Sequence, residues 1–254
     1  GAVTSAQNIV RACHRADLDV AGIVLEPLAS AKAVLTEEEC EIGVALVDIG
    51  GGTTDIVVIT NGAIKYTGVL ALGGHNVTND IAYGLRTPMS SAEKIKIKYG
   101  CAMADLVPHG DSIEVPSVGG RESRTLSRQV LAEICEPRME EIFSLVDQEL
   151  VRSGSKNLIG AGVVLTGGCA LLEGCEELGE QVFNLPTRVG YPRNVGGLTD
   201  VVHSPKFATA VGLLCYGAGE QAPTAEKKMR KRDRDTNLFE SVYQGMKKWF
   251  TEIS

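Results

Sequence analysis

The stretch LVDIGGGTTDIVVI, residues 46–59, sets Asp48, three glycines, two threonines and Asp55 between two short apolar runs. The runs, Val44 to Val47 and Ile56 to Ile59, are β-branched and read as buried strands. Glycine admits positive φ and lets backbone come close to a ligand. Successive N–H groups in such a turn make a concavity for an anion. Gly50, Gly51, Gly52, Thr53 and Thr54 are therefore a candidate phosphate grip. Asp48, at a strand end, suits a hydrated Mg²⁺. An ordinary glycine hairpin has the same composition. The pattern is not a P-loop, because no Gly-Lys-Ser/Thr follows. It is not a dinucleotide fingerprint, because a strand and not a helix follows.

Two other stretches are suited to converge on the same nucleotide. LTGGCALLEG, residues 165–174, is a strand running into Gly167 and Gly168 and then a helix, and it would pass close to a nucleoside. SAEKIKIKYG, residues 91–100, offers Glu93 and Lys96 from one helix face for a ribose and base. Taken singly, both patterns are common, and Glu–Lys pairs usually form solvated helix surfaces.

The elements that must hold these residues follow from hydrophobic period and punctuation. Ser5 is expected to cap a helix with Ile9, Val10, Cys13 and Ala16 on its apolar side. VAGIVLEP, residues 20–27, reads as a strand ended by Pro27, and residues 28–35 read as a helix. After the glycine hairpin, Asn61-Gly62 turns the chain into a third strand over 63–72, and Gly73-Gly74 breaks it before a helix over 75–85. Ser90 and Glu93 form a predicted capping box for a helix reaching Tyr99. Gly119-Gly120 centres a small antiparallel hairpin within 112–127. A long helix over 128–152 carries Val130, Ile134, Met139, Ile142, Leu145 and Val146 as its stripe, with Pro137 as a kink or an end. Residues 161–168 read as a buried strand followed by a helix from Ala170, TRVGY as a last strand, and 207–218 as an apolar helix.

The 254 residues allow one large domain or two modest ones, and 44% hydrophobic residues suit a globular core. A net charge of −7 argues against general nucleic-acid binding. The seven cysteines are scattered without a C-x-x-C pair and the four histidines are dispersed. Neither a zinc site nor a disulfide framework is indicated, and a reducing cytosol fits. Cys169 and Cys175 read as core filler. No run is long enough to span a bilayer and no signal peptide is recognised. Charge is uneven, however: Lys227 to Ser254 hold eight Lys/Arg against four Asp/Glu. Residues 219–236 read as a flexible basic linker. Beyond them Leu238, Phe239, Val242, Tyr243, Met246, Trp249, Phe250 and Ile253 share one helical face. With Lys247 and Lys248 beside that face, residues 237–254 are expected to be an amphipathic helix that inserts at an anionic membrane surface. The plainer alternative is a helix docked on its own core.

The order of the hairpin, the Glu–Lys helix and the Gly-Gly strand resembles the second half of the actin and heat-shock ATPase superfamily. VDIGGGTTDI resembles its second phosphate loop, LEPLASAKAVL the connecting segment before that loop, and VLTGGCALLEG its adenosine loop. DIAYGLRTPMSSAEKIKIKYGCA, IEVPSVGG and GLTDVVHSPKFATAVGLLCYG resemble the FtsA family of bacterial cell-division proteins, over essentially the whole chain. The resemblance implies an α/β fold, the actin-like (ribonuclease H-like) second lobe. Residues 1–40 would be a remnant of the first lobe, 41–75 and 159–218 the inner subdomain and 76–158 the outer one. Such proteins carry another phosphate hairpin in the first lobe. No second glycine-rich Asp-Gly hairpin occurs in these 254 residues, so the sequence is expected to be the C-terminal part of a longer chain.

The resemblance also implies roles. ATP and Mg²⁺ would be the ligands, with Asp48 holding Mg²⁺ through water and the glycines and threonines taking phosphate. Glu93 and Lys96 would bind ribose or adenine, and Gly167 and Gly168 would pass the nucleoside. Glu26 aligns with the position that orients attacking water in heat-shock ATPases, with hydrolysis expected to be weak or absent. The partners would be other copies of the protein in a polymer, an anionic membrane, the C-terminal tail of the division-ring protein FtsZ, and other divisome proteins. No nucleic acid is expected. The location would be the cytoplasmic face of the inner membrane at the septum. Arg138, in the outer subdomain, is a candidate for the FtsZ tail, against the plainer reading of a pair with Glu141 or Glu133. Arg121, Arg124 and Arg128 are unranked candidates for partner or polymer contacts. A chaperone and a pilus-assembly protein on the same fold are the alternatives; a chaperone would need a substrate domain where this chain has the amphipathic helix.

Overall fold

The computed structural model describes residues 3–119, 121–193, 196 and 202–219. The chain divides into two compact units, one of residues 1–25 with 222–254 and one of residues 26–221. In the first unit the described structure is α1 (Val3–Arg15), a helix with no buried residue. Ser5 lies inside it, so it does not cap it. The expected linker and amphipathic helix, residues 219–254, fall outside the described residues apart from Gly219, which ends the last helix below.

The second unit opens with α2 (Glu26–Val34) and α3 (Glu37–Ile42). A meander follows of β1 (Val44–Ile49), β2 (Thr54–Thr60) and β3 (Ala63–Leu70). Then come α4 (Gly74–Gly84), α5 (Met89–Tyr99), the hairpin β4 (Ser112–Val115) and β5 (Arg124–Ser127), and α6 (Arg128–Arg152). The unit closes with β6 (Val163–Thr166), α7 (Cys175–Phe183), β7 (Thr187–Val189) and α8 (Ala208–Gly219).

One five-stranded sheet has the order β3-β2-β1-β6-β7. Its first three strands are antiparallel, with Asp48 opposite Asp55, and β6 and β7 continue parallel to β1. β1 is buried at all six positions, as a central strand covered on both faces must be. Successive side chains point to opposite faces. Ala45, Val47, Ile49, Ile56 and Val58 join one core with residues of α4, α6 and α7, including Val77, Ile81, Met139, Phe143 and Phe183. Val44, Leu46, Val57 and Ile59 join another with Ala33 and Val34 of α2 and Val211 of α8. The free thiols of Cys135, Cys169 and Cys175 are buried in the first core. Burial pushes the Cys135 thiol up to about 12, which leaves it as inert filler.

Several local expectations are corrected. Residues 21–25 form no strand. Among the described residues β1 already has β2 and β6 as neighbours, and Ile23 and Leu25 are exposed. The apolar run stops where α2 begins, with Pro27 in the first turn, where its missing N–H costs nothing. α5 begins at Met89 and its preceding cap residue, Pro88, has no capping side chain. Ser90 therefore sits within the helix, and Glu93 is engaged elsewhere. A capping box does form at Thr36 and Glu39, at the start of α3. α6 runs unbroken through Pro137. Its buried stripe is Leu131, Cys135, Met139, Ile142, Phe143, Val146 and Leu150, while Val130 is exposed. After β6 the chain makes a 3-10 turn at Cys169–Leu171 before the helix α7.

Candidate nucleotide site

Ligands of open parallel sheets sit beyond the carboxyl ends of the strands. Here Asp48, the last residue but one of β1, pairs with Thr166 at the end of β6, and Gly167 follows. Gly167 has φ +86°, and a Cβ there would stand 2.5 Å from Asp48 Oδ1 and 2.5 Å from the Ile49 carbonyl. Only glycine fits. The glycine hairpin closes with the Gly50 N–H donating to the Thr53 carbonyl at 2.9 Å. Gly52 and Gly168 both have open space where a side chain would be.

Asp48 is 6% exposed. The Ser30 hydroxyl of α2 donates to its Oδ2 at 2.6 Å, and Ser30 shares a second hydrogen bond with Thr209 of α8 at 2.9 Å. Burial pushes the Asp48 carboxyl up, the Ser30 hydrogen bond opposes this, and Asp55 pushes it further up. Burial likewise raises Asp55, against a hydrogen bond from Thr53 at 3.2 Å. Glu26, at the first turn of α2, is raised by burial, then by Asp55 and Asp48. Three carboxylates thus feel one another at this corner, and a cation among them would relieve their repulsion. Among the described residues no group of three or more His, Cys, Asp or Glu could hold a metal directly. The donor set fits Mg²⁺ as that ion is usually held, by one or two carboxylates, waters and the phosphates of a nucleotide.

Thr54 is fully buried and its hydroxyl donates to the Leu72 carbonyl at 2.9 Å. That hydroxyl braces the hairpin, while the Thr53 side is exposed. Gly73 and Gly74, read from sequence as a chain break, pack on the hairpin. A Cβ on Gly73 would meet the Gly50 carbonyl oxygen at 2.8 Å. The backbone N–H groups of Gly74 and His75 donate to the Gly50 and Gly51 carbonyls at 2.9 and 2.7 Å. Lys96 is 8% exposed. Its ammonium donates to the Gly74 carbonyl at 3.0 Å, Thr78 Oγ1 at 2.9 Å and Glu93 Oε2 at 2.8 Å, which uses all three protons. Thr78 also donates to Glu93. Burial pushes the Glu93 carboxyl up, but Lys96 and Thr78 hold it below its ordinary value. The Glu93 side chain is 42% exposed.

The structure therefore brings Asp48, the hairpin, Gly167–Gly168, Glu93 and Lys96 to one corner, with Glu26 within electrostatic reach of Asp55 and Asp48. Sequence reasoning missed Ser30, Asp55, Gly73, Gly74, His75 and Thr78. Gly-Gly between a strand and a helix was the available signal.

Arg138 lies away from this corner, on α6. Its guanidinium grips Asp80 of α4 (Nε to Oδ2 2.6 Å, Nη2 to Oδ1 3.2 Å) and pairs with Glu141. Asp80, Ile134, Pro137, Arg138 and Glu141 line a groove of about 240 Å³. Arg128 instead ties Asp111 and Glu173 together, and Arg124 donates to the Leu85 carbonyl.

The family model for cell division protein FtsA matches residues 45–212. A cell division protein FtsA of Pseudomonas aeruginosa is 56% identical over 221 residues, covering 87% of this chain and 53% of that protein. The FtsA of Escherichia coli K12 is 47% identical over 234 residues, covering 89% and 56%. The chain thus spans about half the length of the curated relatives it matches. Among solved structures, MreB5 of Spiroplasma citri bound to ADP superposes with a TM-score of 0.70 at 18% identity, over 86% of this chain and 66% of that one. The MamK double helical filament gives 0.63 at 17%, over 86% and 65%. Identities this low speak for the fold alone, which is actin-like. On the family match and on relatives this similar, the chain belongs to the FtsA family of cell division proteins.

Proposed function

We propose that this chain supplies one wall of a Mg·ATP site in an actin-like cell-division protein that polymerises and tethers FtsZ to the cytoplasmic face of the inner membrane. The carrying observation is the corner where the glycine hairpin, Gly73–Gly74 and Gly167–Gly168 meet beside the buried Asp48 carboxylate. Phosphate would lie on the hairpin N–H groups and the Thr53 hydroxyl. Mg²⁺ would offset the charge that burial disfavours on Asp48. Glu93, with its exposed carboxylate edge, would meet the ribose, and Lys96 would hold Glu93 and the start of α4 in place. Glu26, set against Asp48 and Asp55, would orient water for slow hydrolysis. The opposite wall would come from a part of the protein beyond this chain.

Calorimetry of Mg·ATP with the full-length protein tests the site. Asp48→Ala should weaken binding in Mg²⁺ and leave binding in EDTA unchanged; equal loss in both removes Asp48 from the metal role. For the partner, the groove beside Arg138 is the proposed seat of the FtsZ tail. Arg138→Gln is the suitable variant, because Arg138→Glu would set three carboxylates together with Asp80 and Glu141. Fluorescence anisotropy of an FtsZ tail peptide should show several-fold weaker binding; equal affinity would leave Arg138 as a brace between α4 and α6.

A further inference from the structure

We propose that His75 is a further nucleotide-contacting residue, a hydrogen-bonding imidazole between the phosphate hairpin and Glu93; this rests on the Mg·ATP reading above. His75 is the second residue of α4 and is exposed. Its ring meets the hairpin tip edge-on: a Cβ on Gly51 would stand 2.6 Å from Cε1 and 2.8 Å from Nδ1, with Nε2 3.9 Å away. Gly51 therefore gives the imidazole its seat. Glu93 is near enough for the ring to add, after Lys96 and Thr78, to the groups that hold its carboxyl down against burial. A ligand with phosphates on Gly50–Gly52 and a ribose at Glu93 would have to pass this ring.

The start of a helix commonly binds anions through its free N–H groups. Here the Gly74 and His75 N–H groups are already committed to the Gly50 and Gly51 carbonyls. The exposed side chain of His75 is a group that the start of α4 can still offer a phosphate. The charged groups on the surrounding elements are Asp48 and Asp55 on the hairpin strands and Glu93 and Lys96 on α5, with the Cys169 thiol behind Gly74. Lys96 has its three protons engaged, so it does not compete for the ligand.

A ring nitrogen of His75 can donate a hydrogen bond to a phosphate oxygen lying on the hairpin. Calorimetry with the full-length protein compares the parent with His75→Ala. The expected result is Mg·ATP binding about five-fold weaker in the variant, as for the loss of one hydrogen bond, with AMP affinity unchanged. Equal ATP affinity in parent and variant would overturn the role of His75 alone. No Mg·ATP binding by the parent would overturn the nucleotide reading and this inference with it. His75→Gln, which keeps a side-chain donor, should recover part of the lost affinity.

Discussion

Asp48 is a carboxylate held where burial disfavours its charge. Its carboxylate is buried at 6% exposure with Asp55 opposite it across the hairpin. Its raised folded value means that, between the ordinary carboxylate range and that value, the folded state holds more protons than the unfolded one. Stability then falls as pH rises through that window, and the destabilisation is fully present above it. Asp48→Asn keeps an acceptor for the Ser30 hydroxyl and removes the charge. The variant should be more stable than the parent at about pH 7, on the order of 1 kcal/mol. The gap should shrink as pH falls and the parent takes up its proton. Urea denaturation at neutral and at acid pH checks this; a variant less stable at neutral pH would show that neighbouring dipoles fully compensate the charge.

At the scale of elements, the packing of α2 on α8 decides whether Asp48 is braced, since Ser30 comes from one helix and Thr209 from the other. The two helices cross at Gly212, where a Cβ would stand 1.7 Å from the Ala29 carbonyl oxygen and 2.3 Å from its carbon. Backbone cannot step aside as a side chain would, so the helices must separate. Gly212→Ala should lose about 3 kcal/mol or fail to fold. Gly217→Ala, on the same helix with nothing within 4 Å of the new Cβ, should be neutral or stabilise by about 0.5–1 kcal/mol. Thermal and denaturant unfolding of the pair checks this; similar losses in both would mean that α8 tolerates no added methyl anywhere. α4 is a second such element. Its first residues hold the hairpin carbonyls and its middle holds Arg138 through Asp80.

At the scale of the whole molecule, the chain carries an acidic body and a basic, aromatic tail. On one face of a helix, Leu238, Phe239, Val242, Tyr243, Met246, Trp249, Phe250 and Ile253 would make a large apolar surface, each worth roughly 1.5–3 kcal/mol when fully buried. Gly245 would weaken such a helix in water by roughly 0.5–1 kcal/mol relative to Ala, so folding is expected to be coupled to lipid. Liposome flotation should show binding to anionic vesicles with a blue shift of Trp249 fluorescence. Trp249→Glu should abolish both, and Lys247 and Lys248 should matter only on anionic lipid. A parent that stays with the soluble fraction, its Trp249 already blue-shifted without lipid, would mean the helix docks on protein instead.

The glycine hairpin and its flanking strands, the small hairpin within 112–127, the long helix over 128–152 and the last apolar helix were all legible in the sequence. Each is written in local code: alternation or helical period, bounded by glycine, asparagine or a cap. Tertiary structure decided which local signals were used. The apolar run before Pro27 had strand chemistry but no strand partner among the described residues. Glu93 had capping chemistry but gave its carboxylate to Lys96 and Thr78, the latter from another helix. Thr54 had a donor suited to phosphate and spent it on Leu72. Arg138 met Asp80, 58 residues away, and His75 met Gly51 only because Gly73 and Gly74 let α4 start against the hairpin. The physical reason is that period and turn chemistry depend on neighbours in the chain, whereas burial and charge pairing depend on neighbours in space, and those exist only once the sheet has brought its carboxyl ends together.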